Sequence, residues 1–163
     1  MAGQSQPLVE TPERVRQELV RKWLTLALAG YPEQGKRFII DSPDPFRNPT
    51  GRVYRESLEI LAEELLGEFK ATRLRPAVDE LMHVCAVSGR PASEALAFLP
   101  AFKTLVCTEL ALPPERQLAV ERRVDQLLLW AFDCYSACRE KLYQARLNEI
   151  RRLQFVQDRL DKA

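Results

Sequence analysis

The most constraining feature of this sequence is its last third, which follows Pro114 and runs to Ala163 without another proline or glycine. Proline and glycine are the residues that most strongly interrupt helices. Their absence predicts one long helix, and the pair Pro114 and Glu115 is typical of a helix start. Up to Leu142 this segment repeats apolar residues at helical spacing, as expected for a helix that packs into a core.

The rest of the chain shows the same periodicity between loop signals. Apolar residues three or four positions apart predict further helices around residues 13–30, 53–66, 74–88 and 94–106, with a shorter helical piece at 33–40. Thr11 is expected to cap the first helix, and Pro100 to kink the chain near Leu96 to Leu99. No segment alternates with period two, so we predict an all-α bundle of about five main helices with a long C-terminal helix. Residues 1–10 are expected to be a disordered lead-in, and residues 11–143 one helical domain.

A proline-rich stretch, residues 41–51, separates two of these helices. It holds three prolines and one glycine, which predicts a loop. Phe46 in this loop has two interpretations: an apolar anchor that holds the loop down, or a contact residue for a ligand or partner, because binding residues favour loops on a rigid scaffold. On the second interpretation, the candidate contact residues are Asp44, Phe46 and Asn48.

The charge balance and the N-terminus limit the classes of partner. The chain has 24 Lys and Arg against 23 Asp and Glu, a net charge of +1, so it lacks the basic surface typical of nucleic-acid binders. We expect no nucleic-acid partner. The sequence shows neither an export signal nor an apolar run of membrane-spanning length. We therefore expect a cytoplasmic protein with no membrane span and with reduced thiols.

His83 is the only histidine, and it lies in an apolar stretch of a predicted helix. The pattern favours a histidine in the core or at its rim, although an axial haem ligand is an alternative. Cys134 and Cys138 are four residues apart on one helix face. With Cys85 and His83 they form a set that is compatible with a zinc or redox site, while core packing is the alternative that cysteine burial favours. No catalytic motif is present, so we expect no enzyme activity and no cofactor.

The end of the long helix differs in character from its beginning. Residues 144–163 carry many charges around a thin apolar seam, formed by Leu147, Ile150, Leu153, Phe155, Val156 and Leu160. A thin seam is typical of a helix that meets a partner helix, either in a homodimer or in another protein. The alternative is that this extension folds back on its own bundle.

Several strings together resemble the N-terminal domain of RsbRD-type RsbT co-antagonist proteins. They are a first helix with Trp23 followed by Tyr31 and Pro32, then DPFRNPTG at 44–51, LRPAVDELMHVCAVSGRPASEAL at 74–96 and LLLWAFDCYSACREKLYQARLNE at 127–149. The resemblance covers about residues 12–150. It implies a helical input domain of the kind placed ahead of an output module such as a STAS domain or a histidine kinase. It also implies a non-haem, globin-like fold that dimerises, with no catalytic residue.

The sequence therefore predicts a non-enzymatic cytoplasmic sensory or regulatory domain. Because no output module follows Ala163, we expect a stand-alone domain that signals or docks through its last helix. Two alternatives stay open at this point. One is a haem, metal or thiol redox sensor that uses His83 and the cysteines, and the other is a structural accessory subunit of an enzyme complex.

Overall fold

The computed structural model describes residues 7–42, 44 and 46–160. Within these residues the chain forms seven helices and no strand, which confirms the all-α prediction. The helices are α1 Glu13–Ala27, α2 Glu33–Asp41, α3 Pro49–Leu66, α4 Ala71–Val87, α5 Ala92–Leu96, α6 Phe98–Glu109 and α7 Pro114–Leu160. The last helix is 47 residues long and contains all of the described part of the predicted long helix. No helix of the described chain is both long enough and apolar enough to cross a membrane.

The core lies where α1, α3, α4 and α6 meet the first half of α7. Trp23 in α1 is completely buried. Its Nε1 donates to the carbonyl oxygen of Phe98 at 2.6 Å, and its ring packs on Phe102 with the ring centroids 4.2 Å apart. The indole thus satisfies its one donor while it fills the space between α1 and α6, as a buried tryptophan requires. From α7 only one face enters the core, and its last buried residue is Tyr135.

The helical pattern around Pro100 is divided into two helices. We expected a kink near Leu96 to Leu99, and α5 ends at Leu96 while α6 begins at Phe98. Ala97 between them keeps an α-helical backbone conformation, so the helical pattern is interrupted over one residue within the predicted range. Pro100 then occupies the first turn of α6. Its missing N–H removes no helical hydrogen bond there, because the first four amides of a helix have no partner within the helix.

The part of the chain that packs on the bundle begins earlier than the sequence indicated. The amide of Leu8 donates to the carbonyl oxygen of Gly67 at 3.0 Å, that of Val9 to Leu66 at 2.8 Å, and Val9 is buried. The predicted disordered lead-in over residues 1–10 is therefore wrong for these two residues, while residues 1–6 lie outside the described residues. The prediction that Thr11 caps α1 is also wrong, because Pro12 is the cap residue and the Thr11 hydroxyl has no described hydrogen-bond partner.

Candidate functional site

Asn48 joins two helices at the end of the proline-rich loop. Its side chain is completely buried, and its Oδ1 accepts from the amide of Gly51 at 2.8 Å, which caps the start of α3. Its Nδ2 lies 2.9 Å from the carbonyl oxygen of Ile39, and 3.2 and 3.1 Å from those of Phe38 and Ser42. One amide thus closes both the end of α2 and the start of α3. Because its donors and its acceptor are occupied, Asn48 holds the loop in place and has no free group for a ligand.

The exposed part of the same loop is organised by Asp44. Its Oδ1 accepts from the amide of Phe46 at 2.9 Å and from that of Arg47 at 3.4 Å, an arrangement typical of aspartate in turns. Phe46 itself is 95% exposed. The interpretation of Phe46 as an apolar anchor is therefore wrong, since Asn48 holds the loop and Phe46 points into solvent. Contact with a ligand or partner stays a prediction for Phe46.

A cleft of about 520 Å³ opens between α2, the start of α3 and the end of α4. Its walls are mostly apolar, and the lining residues are Tyr31, Gly35, Phe38, Ile39, Asn48, Pro49, Thr50, His83, Val84, Val87 and Ser88. His83 is an exposed residue of this lining, so it belongs to the rim and not to the core. Phe38 and Val87 keep more than half of their surface exposed. The cleft therefore has the size and the apolar character of a small-molecule site.

A short chain of polar groups runs inward from this cleft. The hydroxyl of Tyr31 lies 3.2 Å from that of Tyr54, which in turn lies 3.4 Å from the sulfur of Cys85. Burial, and then the neighbouring Cys85 and Tyr31, raise the pKa of Tyr54. Burial also raises the pKa of Cys85, against a smaller opposing effect of its hydrogen bond with Tyr54. Both groups stay protonated at neutral pH, and the chain is a neutral hydrogen-bonded path.

The cleft is also connected to α7. The guanidinium of Arg90 lies over the ring of Tyr31, 4.6 Å from its centroid. The hydroxyl of Tyr135 in α7 donates to the carbonyl oxygen of Arg90, and Nη1 of Arg139 donates to the carbonyl oxygen of Ala86 at 3.2 Å. These contacts join the wall of the cleft and the end of α4 to the last buried turn of α7. The cleft and α7 are thus connected by a continuous set of contacting groups.

Beyond Tyr135, α7 has no buried residue in its described part, although Cys138, Arg139 and Leu142 still contact the bundle. From Tyr143 to Leu160 it extends from the bundle as a helix of about 27 Å. Its apolar side chains form the tail seam, which consists of Leu147, Ile150, Leu153, Phe155, Val156 and Leu160. All of them are exposed except Leu147, which is half-buried. The alternative in which this extension folds back on its own bundle is wrong for residues up to 160.

A second exposed apolar stripe lies on the part of α7 that packs against the bundle. Leu129 is 67% exposed and Phe132 is 50% exposed, although both lie in the half of α7 that packs into the core. At 100° per residue these two side chains share one face of the helix with Ile150. Leu153, Val156 and Leu160 lie instead on the face that is buried in the first half of α7. These three residues of the tail seam therefore continue the buried face of α7 beyond the bundle.

The predicted metal or redox set is not assembled as one site. Among the described residues, no group of three or more His, Cys, Asp or Glu could hold a metal ion. Cys85 is buried, His83 is on the exposed rim, and Cys134 and Cys138 pack half-buried against the core. Burial and then the nearby Asp79 raise the pKa of Cys134, which lowers its thiolate fraction. The cysteines therefore have the character of packing residues.

Sequence reasoning missed Tyr31, Tyr54, Arg90 and Tyr135 as members of this region. A signal for the cleft was present in α2, where Phe38, Ile39 and Ile40 are three consecutive apolar residues. A helix of nine residues that packs on one side cannot bury all three. Such a run indicates an apolar surface on the outer side, as observed for Phe38. Which other elements complete the cleft depends on contacts distant in sequence.

Comparisons with known proteins give matches that span most of the chain. Residues 17–150 match the family described as the RsbT co-antagonist protein RsbRD N-terminal domain. The chain is also 26% identical over 137 residues to an uncharacterized protein of Archaeoglobus fulgidus, a match that covers 82% of this chain and 83% of the relative. No solved structure matches the chain. The family match includes the cleft, its contacts with α7 and the first part of the tail seam.

Proposed function

Because the chain belongs to the family of RsbT co-antagonist protein RsbRD N-terminal domains, we propose that it is a non-enzymatic, cytoplasmic sensory domain with α7 as its output element. The family is regulatory and related to signalling. Within this proposal the bundle receives the signal and the exposed part of α7 passes it on. The observation that carries the proposal is the tail seam, which leaves the bundle with its apolar residues uncovered.

The proposed occupant of the tail seam is the same helix of a second copy of the chain. Leu153, Val156 and Leu160 follow each other at spacings of three and four, which is the pattern of helices that pair along a seam. Full burial of one such side chain is worth about 1.5–3 kcal/mol, so several of them give a substantial driving force for pairing.

The proposed mechanism is a shift of α4 relative to α7. The two helices are joined by the hydrogen bond from Arg139 to Ala86, and through Arg90 by that of Tyr135. A signal that changes the packing of α4 would move the last buried turn of α7 and so reorient the tail. Small displacements of packed helices are a common form of two-state change.

The test is the double variant Leu153→Glu with Leu160→Glu, compared with Gln154→Glu as the control. All three positions are exposed in the single chain, so the helix content of each variant should equal that of wild type. Sedimentation or light scattering should give a dimer for wild type and Gln154→Glu, and a monomer for the double variant. A wild type that stays monomeric at high concentration, or a double variant that stays dimeric, would contradict the proposed pairing.

A further inference from the structure

We propose that the cleft between α2 and the end of α4 binds a neutral small molecule with an aromatic or branched aliphatic body and a single hydrogen-bonding group. This inference rests on the proposed sensory function and supplies the class of signal. The volume of about 520 Å³ suits a ligand of this kind. Phe38 and Val87 stay 53% and 59% exposed at the cleft, so a bound apolar body would remove apolar surface from water.

The lining selects against charged ligands. Among the residues that the structure describes, no Asp, Glu, Lys or Arg lines the cleft, and His83 and Tyr31 are the ionisable groups of this lining. The guanidinium of Arg90 lies on the ring of Tyr31 but is not part of the lining. Phosphates and free amino acids would therefore find no oppositely charged group among the described lining residues, and a charge buried without a partner is strongly disfavoured. The Tyr31 hydroxyl and the His83 ring supply hydrogen-bonding groups for one polar atom of a ligand.

The size of the cleft favours a small molecule over a protein. Within the described part of the chain 11 residues line it, whereas a stable protein interface uses about 20–30 residues on each side. The position is also suited to input, because Tyr31 contacts Arg90 and the end of α4 contacts Arg139 of α7. A molecule that packs against Val84 and Val87 would therefore act directly on the helix that holds α7.

Gly35 provides a sharp test of this site. It lines the cleft from α2, and a Cβ added to it meets no atom within 4 Å. Gly35→Trp should therefore fill the cleft without disturbing the bundle, while Gly35→Ala leaves it open and is the matched control. If Gly35→Trp fails to fold by circular dichroism, Val87→Asp replaces it, since this exposed position tolerates a charge that would repel an apolar ligand.

The probe is p-cresol at millimolar concentration, with p-toluate as its charged counterpart, followed by saturation-transfer NMR on the full chain. We expect wild type and Gly35→Ala to bind p-cresol, Gly35→Trp to bind it at least about tenfold more weakly, and p-toluate to bind at least about tenfold more weakly than p-cresol. The site is overturned if wild type gives no transfer from p-cresol. It is also overturned if Gly35→Trp binds as wild type does, or if p-toluate binds as well as p-cresol.

Two further measurements separate this inference from the proposed pairing of α7. The double variant Leu153→Glu with Leu160→Glu should bind p-cresol as wild type does, so a failure of the dimer would leave the cleft result standing. If a segment of a second copy fills the cleft instead, Gly35→Trp would weaken self-association and wild type would not bind p-cresol. That combination would overturn the assignment of the cleft to a small molecule.

Discussion

Asn48 should be essential to the stability of the bundle, because one side chain serves two helix ends. Asn48→Ala removes the acceptor for the Gly51 amide, a loss of about 1 kcal/mol for a helix N-cap. It also removes the donor to three carbonyl oxygens of α2 and its C-cap. Arg55 still donates to Ile39 and Ser42, so each of these losses is at the lower end of the usual range of about 0.5–1.5 kcal/mol. Together, one cap loss and three losses of about 0.5 kcal/mol give a total of about 2.5 kcal/mol.

Asn48→Asp distinguishes this double role from simple capping. At an ordinary N-cap, Asp and Asn are equivalent, so the change would be neutral. Here the second carboxylate oxygen would replace Nδ2 and face the carbonyl oxygens of α2, including that of Ile39 at 2.9 Å in the native contact. Repulsion and burial of the charge should make Asn48→Asp at least as destabilising as Asn48→Ala. Asp44→Ala, in the half-exposed part of the same loop, is the control and should cost less than about 1 kcal/mol.

The assay is urea and thermal unfolding followed by circular dichroism. For a domain of this size, about 2.5 kcal/mol corresponds to a decrease in Tm of about 5–10 °C. The urea midpoint should decrease in proportion, with an unchanged m-value. If Asn48→Asp had the stability of wild type within about 0.5 kcal/mol, the contacts with α2 would contribute nothing, and the double role of Asn48 would be refuted.

Three other outcomes follow from the described contacts. Trp23→Phe should lower the free energy of unfolding by about 1–2 kcal/mol in urea, because the carbonyl oxygen of Phe98 loses its buried donor; no change would contradict that role. In an Ellman assay at neutral pH, exposed Cys107 should react at least about a hundredfold faster than buried Cys85. The raised pKa of Cys85 also lowers its thiolate fraction. Similar rates for the two thiols would show that the core opens readily. Gly35→Ala should raise the free energy of unfolding by about 0.5–1 kcal/mol in urea, since alanine favours the helix and meets no neighbour; a loss of stability would exclude an open position.

Most helix positions could be predicted because helix signals are local. Pro32 and Gly89 lie beside the ends of α2 and α4, and Pro114 begins α7, as the sequence indicated. The predictions were less exact where a local signal has two structural solutions. Pro100 indicated an interruption of the helix near Leu96 to Leu99, but the local signal did not give its exact position. Only the structure shows that α6 begins at Phe98, where its first turns pack against Trp23.

The candidate site could be predicted only in part. The sequence directed attention to the loop with Asn48 and to the rim residue His83, and the structure places both in the lining of one cleft. It left two roles open for Phe46, because an aromatic residue between prolines has the same local pattern whether it is covered or exposed. The contact of Arg90 with Tyr31 has no sequence signal, since it joins residues from separate loops.

The sequence by itself determined the helical class, the long last helix and the family, since each depends on hydrogen bonds and apolar spacings within a few residues. Only the tertiary structure decided which apolar faces are covered. Burial of a side chain depends on neighbours that are distant in sequence. Leu127 is therefore fully buried while Leu129, two positions further along α7, is 67% exposed. For the same reason, only the fold could show that α7 leaves the bundle after Leu142 with most of its tail seam uncovered.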